Sequence, residues 1–204
     1  MFTLVLNKSH IIVCQERLAK GKKHELVNPS EIDENWFEDY KKASLDKIKL
    51  LYVGRISVEK GIFSLLEIFK KMNSNSQLTI VGKGKSLSLA NNIKFYDYQS
   101  DFKSLIKFYD DNNITILPSY TEAHPKVIDE ALARLRPVII FEDIEHVIQG
   151  RFGIFVSKRE SVSLLNTIEY ILNNYSNIQD QIKKNKLPTK KEFILGISNI
   201  LTKK

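Results

Sequence analysis

The chain has a single cysteine among its 204 residues, so no internal disulfide can form. Cys14 sits in the apolar run Ile11, Ile12, Val13 and reads as a plain buried thiol of a reducing compartment. No apolar run nears the ~20 residues that cross a bilayer. The opening MFTLVLNKSH has no basic stretch ahead of its short apolar one, so a secretory leader is not expected and a cytoplasmic location is. Acidic residues are in deficit, 24 Asp and Glu against 31 Lys and Arg, giving a formal charge of +7. That excess favours an anionic partner, whether nucleotide, nucleic acid or acidic membrane surface, without choosing among them. The sequence shows no internal repeat, no low-complexity segment and no metal-ligand spacing. Glycosylation-type triplets at Asn7, Asn113 and Asn174 read as chance in an asparagine-rich cytoplasmic chain. With 43% hydrophobic and 27% charged residues, the chain can bury one substantial core and is not of disordered composition.

Residues 1–45 have too little core of their own. Two short apolar pieces, 2–6 and 11–14, precede Lys- and Glu-rich sequence; Leu26, Val27, Pro29 and Ile32 lie in a turn-like stretch. ENWFEDYKK, residues 34–42, predicts a short helix with Trp36, Phe37 and Tyr40 on one side. This segment reads as a connector. From Ile48 onward, short apolar strands alternate with helical periods, the pattern of a parallel α/β sheet. Strands are expected at 49–53, 77–81, 93–96, 113–117, 138–141 and 153–156. Helices are expected around Ile62, Leu65, Leu66, Phe69 and Met72, around Phe102, Leu105, Ile106 and Tyr109, and around Leu164, Ile168 and Ile171. Thr189 with Glu192 predicts a capping box opening a last helix, whose stripe of Phe193, Ile194, Ile197, Ile200 and Leu201 needs something to cover it. The Lys-rich segment 183–191 reads as a solvated linker. The division is therefore 1–45, 46–187 and 188–204.

Function concentrates in ITILPSYTEAHPKVIDE, residues 114–130. A buried strand ends at Pro118, a polar loop follows, and Pro125 suits the first position of a helix striped by Val127, Ile128, Ala131 and Leu132. Glu122 then lies in the crevice at a strand's carboxyl end, where open parallel sheets bind ligands, with Glu130 on the helix beyond. Paired carboxylates accept hydrogen bonds from vicinal sugar hydroxyls. Against this, Lys126, Glu130 and Arg134 are four apart on one helical face, and an exposed ladder would explain them equally well. His124 is expected as the N-cap, or in contact with donor sugar or phosphate. The first strand ends in Gly54 and Arg55 and reaches Lys60 as a helix begins, which would complete an anion site fit for a diphosphate; surface cations are the plain alternative. Gly82 and Gly84 either admit ligand to the backbone or simply turn the chain.

These motifs together resemble the C-terminal, donor-binding half of the group 1 retaining glycosyltransferases of GT-B architecture. LLYVGRISVEKG resembles the family's first-strand motif and LTIVGKGK its second strand and glycine loop. ILPSYTEAHPKVIDEALA resembles its paired-glutamate motif, and RPVIIF with FGIFV its closing strands. The resemblance implies a Rossmann-like, doubly wound parallel sheet of about six strands, one half of a GT-B fold. It implies that Arg55 and Lys60 bind the donor diphosphate, Glu122 contacts the donor sugar and Glu130 the ribose. Backbone N–H groups of His124 and Lys126 would face sugar or phosphate, and Tyr98 would lie where the nucleobase packs. The reaction implied is transfer of a sugar, with retention, from a nucleotide-diphosphate sugar to an acceptor in glycan or cell-envelope polysaccharide synthesis, with no metal or other cofactor. Family members usually carry glycine where this chain has Asp97 and Leu135, and FEDIEHVI lacks the usual glycine pair before Glu145. The N-terminal acceptor domain is not in these residues, so a separate N-terminal half or partner chain is expected. Peripheral membrane contact and homo-oligomerisation stay open, and nucleic acid is not expected as a partner, because the Lys-rich run lacks interleaved aromatics. The competing reading is a non-catalytic, nucleotide-binding doubly wound module or scaffold; a signalling receiver would need acidic residues where Gly54 and Arg55 stand.

Overall fold

The structure, a computed structural model, describes residues 11–14, 19–30, 32–72, 75–84 and 90–202; the apolar piece 2–6 lies outside them. Six strands form one parallel sheet: β3 (Ile48–Val53), β4 (Ser76–Val81), β5 (Ile93–Tyr96), β6 (Ile114–Leu117), β7 (Val138–Phe141) and β8 (Ile154–Ser157), in the order β5-β4-β3-β6-β7-β8. Two further strands, β1 (Ile12–Val13) and β2 (Glu25–Leu26), make a separate two-residue parallel pair. The expected strands differ from these by a residue at most at either end. The unbroken apolar runs ITIL and VIIF have every residue of β6 and β7 buried, as strands covered on both faces require. Each fully buried Ile or Leu there contributes about 1.5–3 kcal/mol.

The helices are α1 (Ile62–Lys70), α2 (Phe102–Asp111), α3 (Lys126–Ala133), α4 (Ser161–Asn173), α5 (Tyr175–Ile182) and α6 (Lys190–Thr202). α1 buries Ile62, Leu65, Leu66, Ile68 and Phe69, and α4 buries Leu164, Ile168 and Ile171. From β3 the chain winds outward through β4 to β5, then returns to β6 on the other side of β3. Strand order reverses there, which opens a crevice at the carboxyl ends of β3 and β6.

Two expectations need correction. Only residues Glu34–Phe37 of the predicted 34–42 helix wind, as a 3₁₀ turn capped by Asp33. The carbonyls of Trp36, Glu38, Asp39 and Lys41 point instead to Arg134 and Arg136, and Asp39 is left-handed at φ +49°. Trp36 is consequently buried with Ile32 and Ala43 in the main core, while Phe37 and Tyr40 face solvent. Cys14 is half-buried, because the small β1-β2 pair lies outside that core. The Lys-rich stretch has its lysines exposed, as expected, and is anchored at two points: Asn185 brackets the backbone of Phe152 with two hydrogen bonds, and Lys190 N–H donates to the Ile32 carbonyl at 2.7 Å.

The capping box forms as expected, Thr189 N–H donating to Glu192 Oε2 at 2.9 Å and Glu192 N–H to Thr189 Oγ1 at 3.2 Å. On α6, Ile194, Leu195 and Leu201 remain exposed, and Ile200 is buried. Leu135 just past α3 holds φ +56°, a glycine-like conformation, with its side chain packed against the core. A left-handed non-glycine residue costs roughly 1–2 kcal/mol, so Leu135→Gly should be about 1 kcal/mol more stable than Leu135→Ala, both having lost the packing. Urea midpoints of the two variants check this, and equal midpoints would count against backbone strain.

Candidate functional site

The loop leaving β3 is fixed from below. Tyr52 donates from its hydroxyl to the Arg55 carbonyl at 2.6 Å. Burial, and next the negative charge of Glu122, push the phenol's pKa far up, so it stays a donor. The Arg55 side chain is 69% exposed and lies 3.4 Å from Glu59. Beside it, Gly82 ends β4 so close to β3 that a Cβ would overlap the Gly54 carbonyl. Gly84 packs on the Ile56 side chain.

At the start of α1, Gly61 takes φ +67°, and a Cβ there would run into the Pro118 carbonyl. This close approach sets the α1 N-terminus against the loop that leaves β6. Across that contact, Lys60 Nζ donates to Glu122 Oε1 at 2.6 Å, and Ser119 Oγ donates to the same oxygen at 2.7 Å. The two charged side chains are 22% and 9% exposed. His146 Nε2 donates to the Glu122 carbonyl at 2.9 Å, holding the loop from its other side.

Pro125 occupies the N-cap of α3 with extended ψ 111°, and the helix begins at Lys126, which corrects the expected cap at His124. The His124 ring turns inward and its Nε2 meets Asp129 Oδ2 at 3.0 Å; Asp129 also binds Arg151. Lys126 is exposed. Glu130 accepts a hydrogen bond from the Tyr109 hydroxyl at 2.7 Å. Tyr109 is wholly buried, with Trp36 edge-on at 5.9 Å, and burial together with the Glu130 charge keeps its phenol protonated. Arg134 is not a rung of an exposed ladder: its side chain is 0% exposed and bonded to Asp110.

Gly54, Arg55, Gly82, Tyr98, Lys126 and Glu130 line one cleft of about 610 Å³ over the carboxyl ends of β3, β4 and β5. Lys60, Gly84, Glu122 and His124 are not part of its lining. Trp36 and Lys190 also line it, so the connector and α6 both reach the same cleft. Arg55, Lys83, Lys126 and Lys190 give it cations for an anion, Glu130 an acceptor for hydroxyls, and Tyr98 a flat face that is 68% exposed. The sequence marked neither Tyr52 nor Trp36 as part of a site: Trp36 is brought to the cleft by distant packing, and the Tyr52 bond to the Arg55 carbonyl, though only three residues away, leaves no pattern in the sequence; Tyr109 was marked only as core. Among the described residues, no group of three or more His, Cys, Asp or Glu side chains is placed to hold a metal ion, and no helix is long and apolar enough to cross a membrane.

Comparison with known proteins agrees with the geometry. The profile of the glycosyl transferases group 1 family matches residues 34–189. The capsular polysaccharide biosynthesis glycosyltransferase CapM of Staphylococcus aureus is 32% identical over 164 residues, 72% of this chain and 42% of that protein. The putative teichuronic acid biosynthesis glycosyltransferase TuaC of Bacillus subtilis is 34% identical over 96 residues, 47% of this chain and 25% of that protein. Among solved structures, Anabaena HepE in complex with UDP and glucose superposes with a TM-score of 0.75 at 15% identity, covering 96% of this chain and 63% of HepE. That likeness shows the fold, and the chain spans less than half the length of CapM. The chain belongs to the glycosyl transferases group 1 family.

Proposed function

We propose that this chain is the donor-binding half of a retaining glycosyltransferase that takes its sugar from a nucleotide-diphosphate sugar. The observation that supports the reading is the cleft over the carboxyl ends of β3, β4 and β5, which Arg55, Lys126 and Glu130 line, together with the Lys60–Glu122 pair outside that lining at the start of α1. The diphosphate lies between Arg55 and Lys60 at the α1 N-terminus, where free amides and the helix dipole favour negative charge. Glu130, oriented by Tyr109, accepts from the ribose hydroxyls, and Tyr98 packs on the base. Glu122 takes the donor sugar. As the glycosidic bond breaks, charge grows on the departing diphosphate, and preorganised cations stabilise that state more than the ground state.

The acceptor comes from a second half, in the same protein or in a partner chain. The names of CapM and TuaC favour a cell-envelope polysaccharide as the product. Work in the cytoplasm, with peripheral contact at a membrane presenting the acceptor, belongs to the same reading. Isothermal titration with UDP, GDP and ADP tests it. One of them is expected to bind, and Arg55→Ala to weaken that binding by about tenfold, the worth of one charge-assisted hydrogen bond. Binding of none, or binding untouched by the substitution, would overturn the proposal.

A further inference from the structure

Arg159 lies in the turn between β8 and α4, outside the lining of the cleft, yet its guanidinium gathers the loops that shape the reacting end. Nη1 donates to the Pro118 carbonyl and to Ser64 Oγ, both at 2.9 Å. Nη2 pairs with Asp143 and reaches the Ser119 carbonyl at 3.4 Å. The group stacks on the rings of Tyr120 at 4.0 Å and Phe141 at 4.4 Å. Ser64 in turn donates to the Gly61 carbonyl, next to Lys60, and Ser119 donates to Glu122. One planar fork therefore fixes both backbones whose side chains, Lys60 and Ser119, hold the same oxygen of Glu122.

We propose that Arg159 is a positioning residue for the donor-sugar carboxylate Glu122. The proposal rests on the donor reading above. It assigns Arg159 no contact with the nucleotide; Arg159 bonds the Glu122 loop directly at Pro118 and Ser119 but reaches Lys60 only through Ser64 and Gly61, so its loss falls more on the affinity that the sugar adds than on the diphosphate. Lysine keeps the charge but lacks the flat fork that serves two carbonyls and a hydroxyl while stacked on aromatic rings.

The test is titration of the chain, Arg159→Lys and Arg159→Ala with whichever of UDP, GDP and ADP the unaltered chain binds. The glucose, galactose, mannose and N-acetylglucosamine derivatives of that nucleotide follow. In both variants, the diphosphate is expected to bind within about twofold of the unaltered chain, and the extra affinity from the preferred sugar to fall about tenfold. Thermal melts accompany the titrations, and if the alanine variant fails to fold, the lysine variant decides. An unchanged sugar increment overturns the proposal, as does equal weakening of diphosphate and nucleotide sugar, which is the mark of general fold support. An unaltered chain that binds the nucleotide but gains nothing from any of the four sugars overturns it as well. Failure to bind any nucleotide overturns the donor reading itself.

Discussion

Arg134→Ala is expected to cost about 3–5 kcal/mol of stability, the range for removing one partner of a buried ion pair. All five guanidinium donors are used: Nε and Nη2 fork onto Asp110 at 3.0 and 2.8 Å, Nη1 serves the carbonyls of Trp36 and Glu38, and Nη2 also that of Asp39. Alanine leaves Asp110, among the described residues, with Arg136 at 3.7 Å as its remaining cation and strips three connector carbonyls of their donor. Trp36 is the chain's one tryptophan, so its emission reports the connector directly. In Arg134→Ala, that emission should shift red at urea concentrations where far-ultraviolet dichroism is still native, and the global midpoint should fall by about 1 M or more. A midpoint within error of the unaltered chain would refute the account.

Gly61→Ala is expected to be the second severe change, at about 3 kcal/mol or more, because left-handed strain and a backbone overlap with the Pro118 carbonyl add together. Gly21 supplies the control, since it has φ +73°, against +67° at Gly61, and nothing stands within 4 Å of its would-be Cβ. Gly21→Ala should therefore cost only the conformational part, about 1 kcal/mol. Thermal melts of the two variants separate backbone strain from close approach. Equal losses would show that the contact with Pro118 carries no weight. Gly61→Ala should also weaken nucleotide binding beyond the effect of Arg55→Ala, because it pushes the α1 N-terminus away from the loop that holds Glu122.

The parts of this molecule that were legible in the sequence are those whose cause is local. β6 and β7 are unbroken apolar runs, α1 repeats its apolar residues at helical spacing, and Thr189 and Glu192 cap each other within one turn. Gly54, Arg55, Gly82 and Glu130 could be placed near one another because a parallel sheet gathers its carboxyl-end loops at one edge. What local pattern misread was decided at a distance. Arg134 looked like a surface rung four residues on from Glu130, but the carbonyls that bury it lie 95–98 residues earlier in the chain. Those same carbonyls, turned to the arginine, are unavailable for helical bonds, which is why 34–42 winds only over its first residues. His124 looked like a cap from its place before Pro125, but Asp129 draws its ring inward. Arg159 carried no signal at all, since a polar residue after a strand reads as ordinary loop until Pro118, Ser64 and Tyr120 are seen around it.

The Lys60–Glu122 pair gives the proposed site a route to bind by exchange of partners. At 2.6 Å, and largely shielded from water, each charge offsets the other, so the pair leaves no large unbalanced field there. The lysine ammonium has three donors and Glu122 uses one, so an anion can share the lysine or draw it away from the glutamate. Drawn away, the lysine would return acceptor capacity to a carboxylate that Ser119 still serves, and on the donor reading a hydroxyl of the attached sugar would use it. On the donor reading proposed above, an anion that draws the lysine away and carries no such group would leave a largely shielded carboxylate short of one donor, so the pair would favour a phosphate compound that carries a sugar over a bare one.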